Sequence, residues 1–237
     1  MHPLDRPVWA SLTTHHLPTS QGNSLARRFA PDVNLFASAR DDSPTAIAAL
    51  VALVRPGECV YVLQVPEIVI PPGFVVIKEG KGVQMVAAPS ALFQAAGADM
   101  LTLGDADAPE MLTLAELTEP GPFVKRTHTM GTFLGIRIDG QLAAMAGERM
   151  RFPGYTEVSG VCTHPKFRNR GLAGRLSAAV AASISARGER AFLHAWKSNQ
   201  SAISLYERLG FEVRAEVNAV VLQRGDGLQD RCFTAGG

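Results

Sequence analysis

The chain of 237 residues is poor in cysteine and in net charge, and it has no long apolar run. Its three cysteines, Cys59, Cys162 and Cys232, form neither an even set nor a CxxC pair. A disulfide scaffold and a zinc ribbon are therefore not expected, and the thiols read as reduced. Cys162 lies in the middle of an apolar run and is expected to be a small buried side chain, not a nucleophile. The formal net charge is only +1, which leaves no global basic field to draw nucleic acid. No apolar run approaches the roughly 18 residues of a membrane helix. The opening MHPLDRPVWASLTTHH has polar breaks where a secretion signal needs a continuous apolar core. A cytoplasmic protein without nucleic-acid or membrane partners is the expectation. His15–His16 and Asp41–Asp42 lack partners at metal-ligand spacing, so no metal is expected. The G-x-S-x-G elbow of a serine hydrolase is absent as well.

What is present is an ordinary globular composition, 46% hydrophobic and 19% charged, long enough for one large or two small domains. In the first half, the segments near Val8–Leu17 and Leu25–Phe29 are candidate helices. Ala46–Val54 reads as a buried helix between Ser43–Pro44 and Pro56–Gly57. Cys59–Val65, Phe74–Ile77 and Val83–Val86 read as separate strands. A small-residue stretch at Gln94–Asp99 suggests a junction, dividing the chain into 1–97 and 98–237.

The second half is clearer. Met100–Leu103 is a strand, and Asp107 with Pro109 opens a helix through Leu117 that Pro120–Gly121–Pro122 breaks. Gly131–Ile138 and Gln141–Met150 pair across Asp139–Gly140, a strong hairpin signal. A strand over Thr156–Thr163 leads into a helix over Arg168–Arg187, with Leu172, Leu176, Val180 and Ile184 on one face. Arg190–Trp196 is a strand, Asn199–Leu209 a helix and Phe211–Leu222 a strand. Met130, Phe133, Met145 and Trp196 read as core.

The stretch VCTHPKFRNRGLAG, Val161 to Gly174, carries the most chemistry. A strand enters a loop bearing Lys166, Arg168 and Arg170, and Gly171 and Gly174 open a helix. The amides at a helix N-terminus lack partners, and the helix dipole adds positive charge there. A phosphate or pyrophosphate is favoured at such a place. The spacing is neither a P-loop nor the dinucleotide G-x-G-x-x-G.

Arg168-x-x-Gly171-x-Ala173 matches the R/Q-x-x-G-x-G/A pattern of the GNAT N-acetyltransferase superfamily, and LYERLGF (205–211) matches another segment recurrent there. With the element order β-α-β-β-β-α-β-α-β over about 98–222, the chain resembles an acyl-CoA-dependent N-acyltransferase. The resemblance implies an α+β fold, a central mixed and mostly antiparallel sheet flanked by helices. It implies acetyl-CoA as co-substrate, without a metal, and a small amine or amino acid as acceptor. A homodimer is compatible with it. The first 97 residues, without a phosphate loop, suggest a degenerate GNAT-like half beside the active one, as in chains similar to amino-acid N-acyltransferases acting on glycine-like acceptors.

By the same resemblance the strands ending at Thr163 and running over Ala191–Ala195 splay apart to admit the pantetheine arm. Backbone groups of Val161, Cys162 and Thr163 would meet that arm. The amides of Arg168, Asn169, Arg170, Gly171, Leu172, Ala173 and Gly174 would meet the pyrophosphate, with Asn199 as helix cap or cofactor contact. An oxyanion donor would be the N–H of Val161 or Cys162 if the strand bulges near Ser159–Gly160. Tyr206 stands where the family places its thiolate-protonating tyrosine, with helix packing as the competing role. The base is Glu157, eleven positions before Arg168, with pairing to an arginine at a strand edge as its competing role, or Glu148, or water, and His164 and His194 lie nearby by strand position. A non-catalytic acyl-CoA-binding regulatory module is the alternative to an enzyme.

Overall fold

The computed structural model describes residues 2–225. Cys232 and the rest of 226–237 lie outside the described residues. Two sheets form. The small one joins β1 (Ser20–Gly22), β2 (Ala26–Phe29) and β3 (Ala37–Ala39), all antiparallel. The large one has the strand order β4-β11-β5-β10-β9-β8-β7-β6. Its members are β4 (Cys59–Gln64), β5 (Phe74–Ala87), β6 (Met100–Leu103), β7 (Phe133–Ile138), β8 (Gln141–Phe152), β9 (Tyr155–Thr163), β10 (Arg190–Trp196) and β11 (Phe211–Arg224). The helices are α1 (Pro7–Leu12), α2 (Pro44–Leu53), α3 (Ala108–Thr118), α4 (Leu172–Ala186) and α5 (Gln200–Arg208). This is the mixed, mostly antiparallel sheet flanked by helices that the sequence implies.

Local chemistry accounts for the elements. Ser43 caps α2 by accepting from the Ala46 amide, and Asn199 caps α5 by accepting from the Ala202 amide. Asp139 and Gly140 both take positive φ, 50° and 80°, and close the β7–β8 hairpin. Asp107 does not cap its own helix. Its carboxylate accepts from the Gly104 amide and from Arg137.

The first half departs from expectation in three places. Leu25–Phe29 is not helical: Ala26–Phe29 is the central strand of the small sheet, fixed by pairing on both edges. The helix expected over Val8–Leu17 stops at Leu12, where the Thr13 and Thr14 hydroxyls turn back onto the Trp9 and Ala10 carbonyls. Phe74–Ile77 and Val83–Val86 are one strand of 14 residues. The glycines between them permit close approach and make no turn. A Cβ at Gly80 would lie 2.9 Å from the Trp196 ring, and one at Gly82 would lie 2.9 Å from the Ala195 carbonyl. Trp196 itself is 40% exposed and stands outside the core, whereas Met130, Phe133 and Met145 are buried.

Strands on either side of residue 97 share the large sheet. β5, from the first half, lies between β10 and β11 and pairs with both. One face of the sheet is packed by α4 and α5 around Leu172, Leu176, Val180 and Tyr206. The opposite face is covered by the N-terminal segment, through Leu4, Val8 and Phe36, and by α3, through Met111 and Leu114.

Candidate active site

β9 and β10 run parallel but pair only at Arg190–Tyr155, Ala191–Thr156 and Phe192–Glu157. Beyond that last pair, residues 158–163 of β9 and 193–196 of β10 have no strand partner on their facing edges among the described residues. The sheet thus opens into a cleft whose walls carry free backbone groups. The Thr163 hydroxyl at the end of β9 is buried and has no hydrogen-bond partner among the described residues.

β9 also carries the bulge expected from Ser159–Gly160. Ser159 pairs with Gly147 and Cys162 with Met145, so Gly160 and Val161 together face Ala146. Gly160 takes φ +61°, and a Cβ there would lie 2.8 Å from Phe133. Cys162 is buried, and burial pushes its thiol up to about 11, far from a thiolate at neutral pH.

Past Thr163 the chain makes a short 3-10 turn over Pro165–Phe167, with the His164 ring accepting from the Lys166 amide. Asn169 and Gly171 then take left-handed φ, 64° and 72°. This left-handed pair is why α4 begins at Leu172 and not at Arg168. The Arg168 amide, expected in the cradle, donates instead to the Pro165 carbonyl, whereas among the described residues the amides from Asn169 to Gly174 find no backbone acceptor and no side chain caps α4. Such a run of free amides at a helix N-terminus is an anion cradle. Lys166, Arg168 and Arg170 are exposed around it and form no ion pair among the described residues. Gly174 serves packing instead. It is buried, and a Cβ would lie 3.0 Å from Leu205, so its small size lets α5 approach α4.

The expected acid–base residues lie apart, on opposite faces of the sheet. Tyr206 points into the α4–α5 face, edge-on to Phe211 at 6.1 Å. Burial pushes its phenol up to about 12, opposed only weakly by nearby Ser177, whose own hydroxyl has no partner of good geometry. Glu157 is on the other face and fully buried. Arg149 donates to both of its oxygens at 2.8 Å, and Nδ1 of His194 is 2.7 Å from one of them. Burial alone would raise this carboxyl, but the guanidinium and the imidazole more than offset it and hold it at about 2. A carboxylate held there is a weak base. Glu148, the other candidate, is buried against Arg187 at 2.9 Å.

Sequence reasoning did not find the network around Glu157. His194 Nε2 faces the Gln84 amide at 3.1 Å, Gln84 accepts from Arg214 at 2.9 Å, and Arg214 reaches Asp5 at 2.7 Å. The chain of contacts links β8, β9, β10, β5, β11 and the N-terminal segment at the root of the cleft. At its Arg149 end is a narrow crevice under the loop 120–127, lined by Phe123, Phe133, Ser159 and Gly160 beside the bulge. His164 stays at the mouth of the cradle, outside this network.

A protein-family model described as FR47-like protein matches residues 133–220. The structure superposes on a GNAT-family protein from Novosphingobium aromaticivorans, assigned as an acetyltransferase, with 43% identity and a TM-score of 0.89. The match covers 95% of this chain and 100% of that one. The chain belongs to the GNAT family. A GCN5-related N-acetyltransferase from Kribbella flavida shares the fold at 19% identity and TM-score 0.66, covering 97% of this chain and 99% of that one. A Drosophila protein does so at 17% identity and TM-score 0.62, covering 85% and 74%. A search of curated proteins gives no match. GNAT acetyltransferases use acetyl-CoA, and this member carries groups that suit it: the free amides of 169–174, the unpartnered Thr163 hydroxyl and the parted strands.

Proposed function

We propose that this GNAT protein transfers an acetyl group from acetyl-CoA to the amine of a small molecule or amino acid by direct attack. The observation that carries this is the parting of β9 from β10 immediately before a loop of free amides. When bound, acetyl-CoA supplies an activated thioester carbonyl. The amides of Asn169–Gly174 hold the diphosphate, and Arg168 and Arg170 neutralise its charge. Thr163 and the open edge of Val161 and Cys162 orient the amide-rich arm. The bulge at Gly160–Val161 releases an amide from the ladder to stabilise negative charge on the carbonyl oxygen.

Tyr206 is proposed to steady the leaving sulfur. A phenol near 12 is a poor match for full transfer to a thiolate whose acid is near ~8.5, so it donates a hydrogen bond and keeps its proton. The acceptor amine would approach on the side of Gly160, where the crevice, too narrow to hold even a water, must widen to admit it. Neither Glu157 nor Glu148 can take the ammonium proton without breaking an ion pair, so that proton goes to water. Glu157 instead fixes Arg149 at the wall of the crevice and ties it to His194.

The test follows free-thiol release from acetyl-CoA and a few longer acyl-CoAs across a panel of amines and amino acids. Turnover with at least one acceptor supports the proposal. Tight acetyl-CoA binding without thiol release would support the regulatory alternative, and the absence of any CoA-dependent thermal shift would defeat both.

A further inference from the structure

At the closed end of the cleft, on the face carrying the N-terminal segment, lies a cavity of about 250 Å³. That volume is below the range of drug-sized ligand sites and suits a small metabolite. Leu4 and Val86 form its buried floor, Tyr155 lines one side, and Arg190, Glu212 and Arg214 supply its charge.

The charges differ in how they are held. Arg214 is the residue by which β11 bulges against β5, between the Val213–Met85 and Ala215–Gln84 pairs. It is tied to Asp5 and Gln84, so its charge is matched and its side chain fixed. Arg190 is half-buried and uses Nε on the Ala87 carbonyl at 2.7 Å, but it meets no carboxylate among the described residues. Glu212, lining the same cavity, meets no cation among the described residues. Neither enters an ion pair among the described residues, although both line one small space. An unpaired guanidinium and an unpaired carboxylate lining one cavity offer a charge-assisted partner to each end of a ligand carrying both signs.

We propose that this cavity is a second binding site, distinct from the acceptor crevice, for a free α-amino acid. Arg190 takes the carboxylate, Glu212 takes the ammonium group, and the side chain lies along Tyr155, Leu4 and Val86. The site does not depend on the acetyltransferase proposal, since these residues lie outside the parted segments of β9 and β10 and outside the anion cradle.

The experiment is isothermal titration of the full-length protein, without acyl-CoA, against the twenty common amino acids, repeated with Arg190→Met and Glu212→Gln. Saturable binding of at least one amino acid is expected. Each variant should weaken it by about tenfold or more, the size of a lost charge-assisted contact. The N-acetyl and carboxamide derivatives of the same amino acid should each bind as weakly as the variants do. Glu212 is exposed, so Glu212→Gln remains informative if Arg190→Met folds poorly. No saturable binding across the panel would overturn the proposal. So would unchanged affinity in both variants, because the amino acid would then be bound elsewhere. Thermal shift with CoA, expected to be the same in wild type and variants, reports separately on the acetyltransferase proposal.

Discussion

Replacing Glu157 with Gln separates a buried anchor from a free base. The wild-type carboxylate has no exposed surface and receives both Arg149 nitrogens and the His194 ring. Its folded pKa of about 2 lies below the ordinary 4.5, so ionised Glu157 contributes stability above pH 4.5 that is lost as pH falls toward 2. A shift of that size corresponds to about 3 kcal/mol, and breaking a buried ion pair commonly costs about 3 to 5 kcal/mol. Gln keeps the shape and one acceptor, so the lower figure applies. In a chain of this length the expected fall in Tm at pH 7 is roughly 6 to 12 °C. The assay is urea and thermal unfolding of both proteins between pH 7 and pH 3. The difference should be largest at neutral pH and narrow as acid protonates the wild-type carboxyl. If the variant loses thiol release while its Tm stays within about 1 °C of wild type, Glu157 is a catalytic base and the anchor argument fails.

Three further outcomes follow from single sites. Gly160→Ala must place a Cβ 2.8 Å from Phe133 at φ +61°, so it should cost about 1 to 3 kcal/mol in urea unfolding and lower kcat by disturbing the bulge. Unchanged values would mean the bulge is not needed. Tyr206→Phe keeps the ring packed against Phe211 and removes only the hydroxyl, so Tm should move by less than about 2 °C. Its kcat should fall about tenfold with KM for acetyl-CoA unchanged, and full kcat would leave Tyr206 a packing residue. Cys162, buried with its thiol at about 11, should resist thiol-modifying reagents at pH 8 while half-buried Cys59 reacts. Peptide mass mapping reads this directly, and equal labelling would show that β9 opens readily.

Much of the second half was legible because its signals are local. Asp139–Gly140 dictates a two-residue turn, Pro120–Gly121–Pro122 stops α3, and Asn199 opens α5 by capping it. Even the bulge was foreseeable, since a glycine among Val158, Val161 and Cys162 has no reason to be there except a special backbone position. The first half hid its organisation because its decisive contacts are distant in sequence. Gly80 and Gly82 look like strand breakers until Trp196 and Ala195 come to lie against them, more than a hundred residues on. The two arginines of Ala26–Phe29 resemble a helix surface until β1 and β3 claim both edges.

The ion pair at Glu157 has a sharper cause, an irregularity in register. Counting back through the hairpin from the Phe152–Tyr155 pair sets Met150 opposite Glu157, an apolar neighbour that would leave the carboxylate free. The ladder instead slips between Glu148 and Arg151, and this brings Arg149 across to the carboxylate. An inserted residue thereby turns a candidate base into half of a buried ion pair, and pattern reading on one strand cannot see its neighbour's slip. The same displacement puts the pair at the root of the cleft, where β9 and β10 part after Glu157–Phe192. Arg149 and Glu157 there join the layers on one face of the sheet, and α4 and α5 hold the other, so the opening between β9 and β10 need not weaken the fold around it.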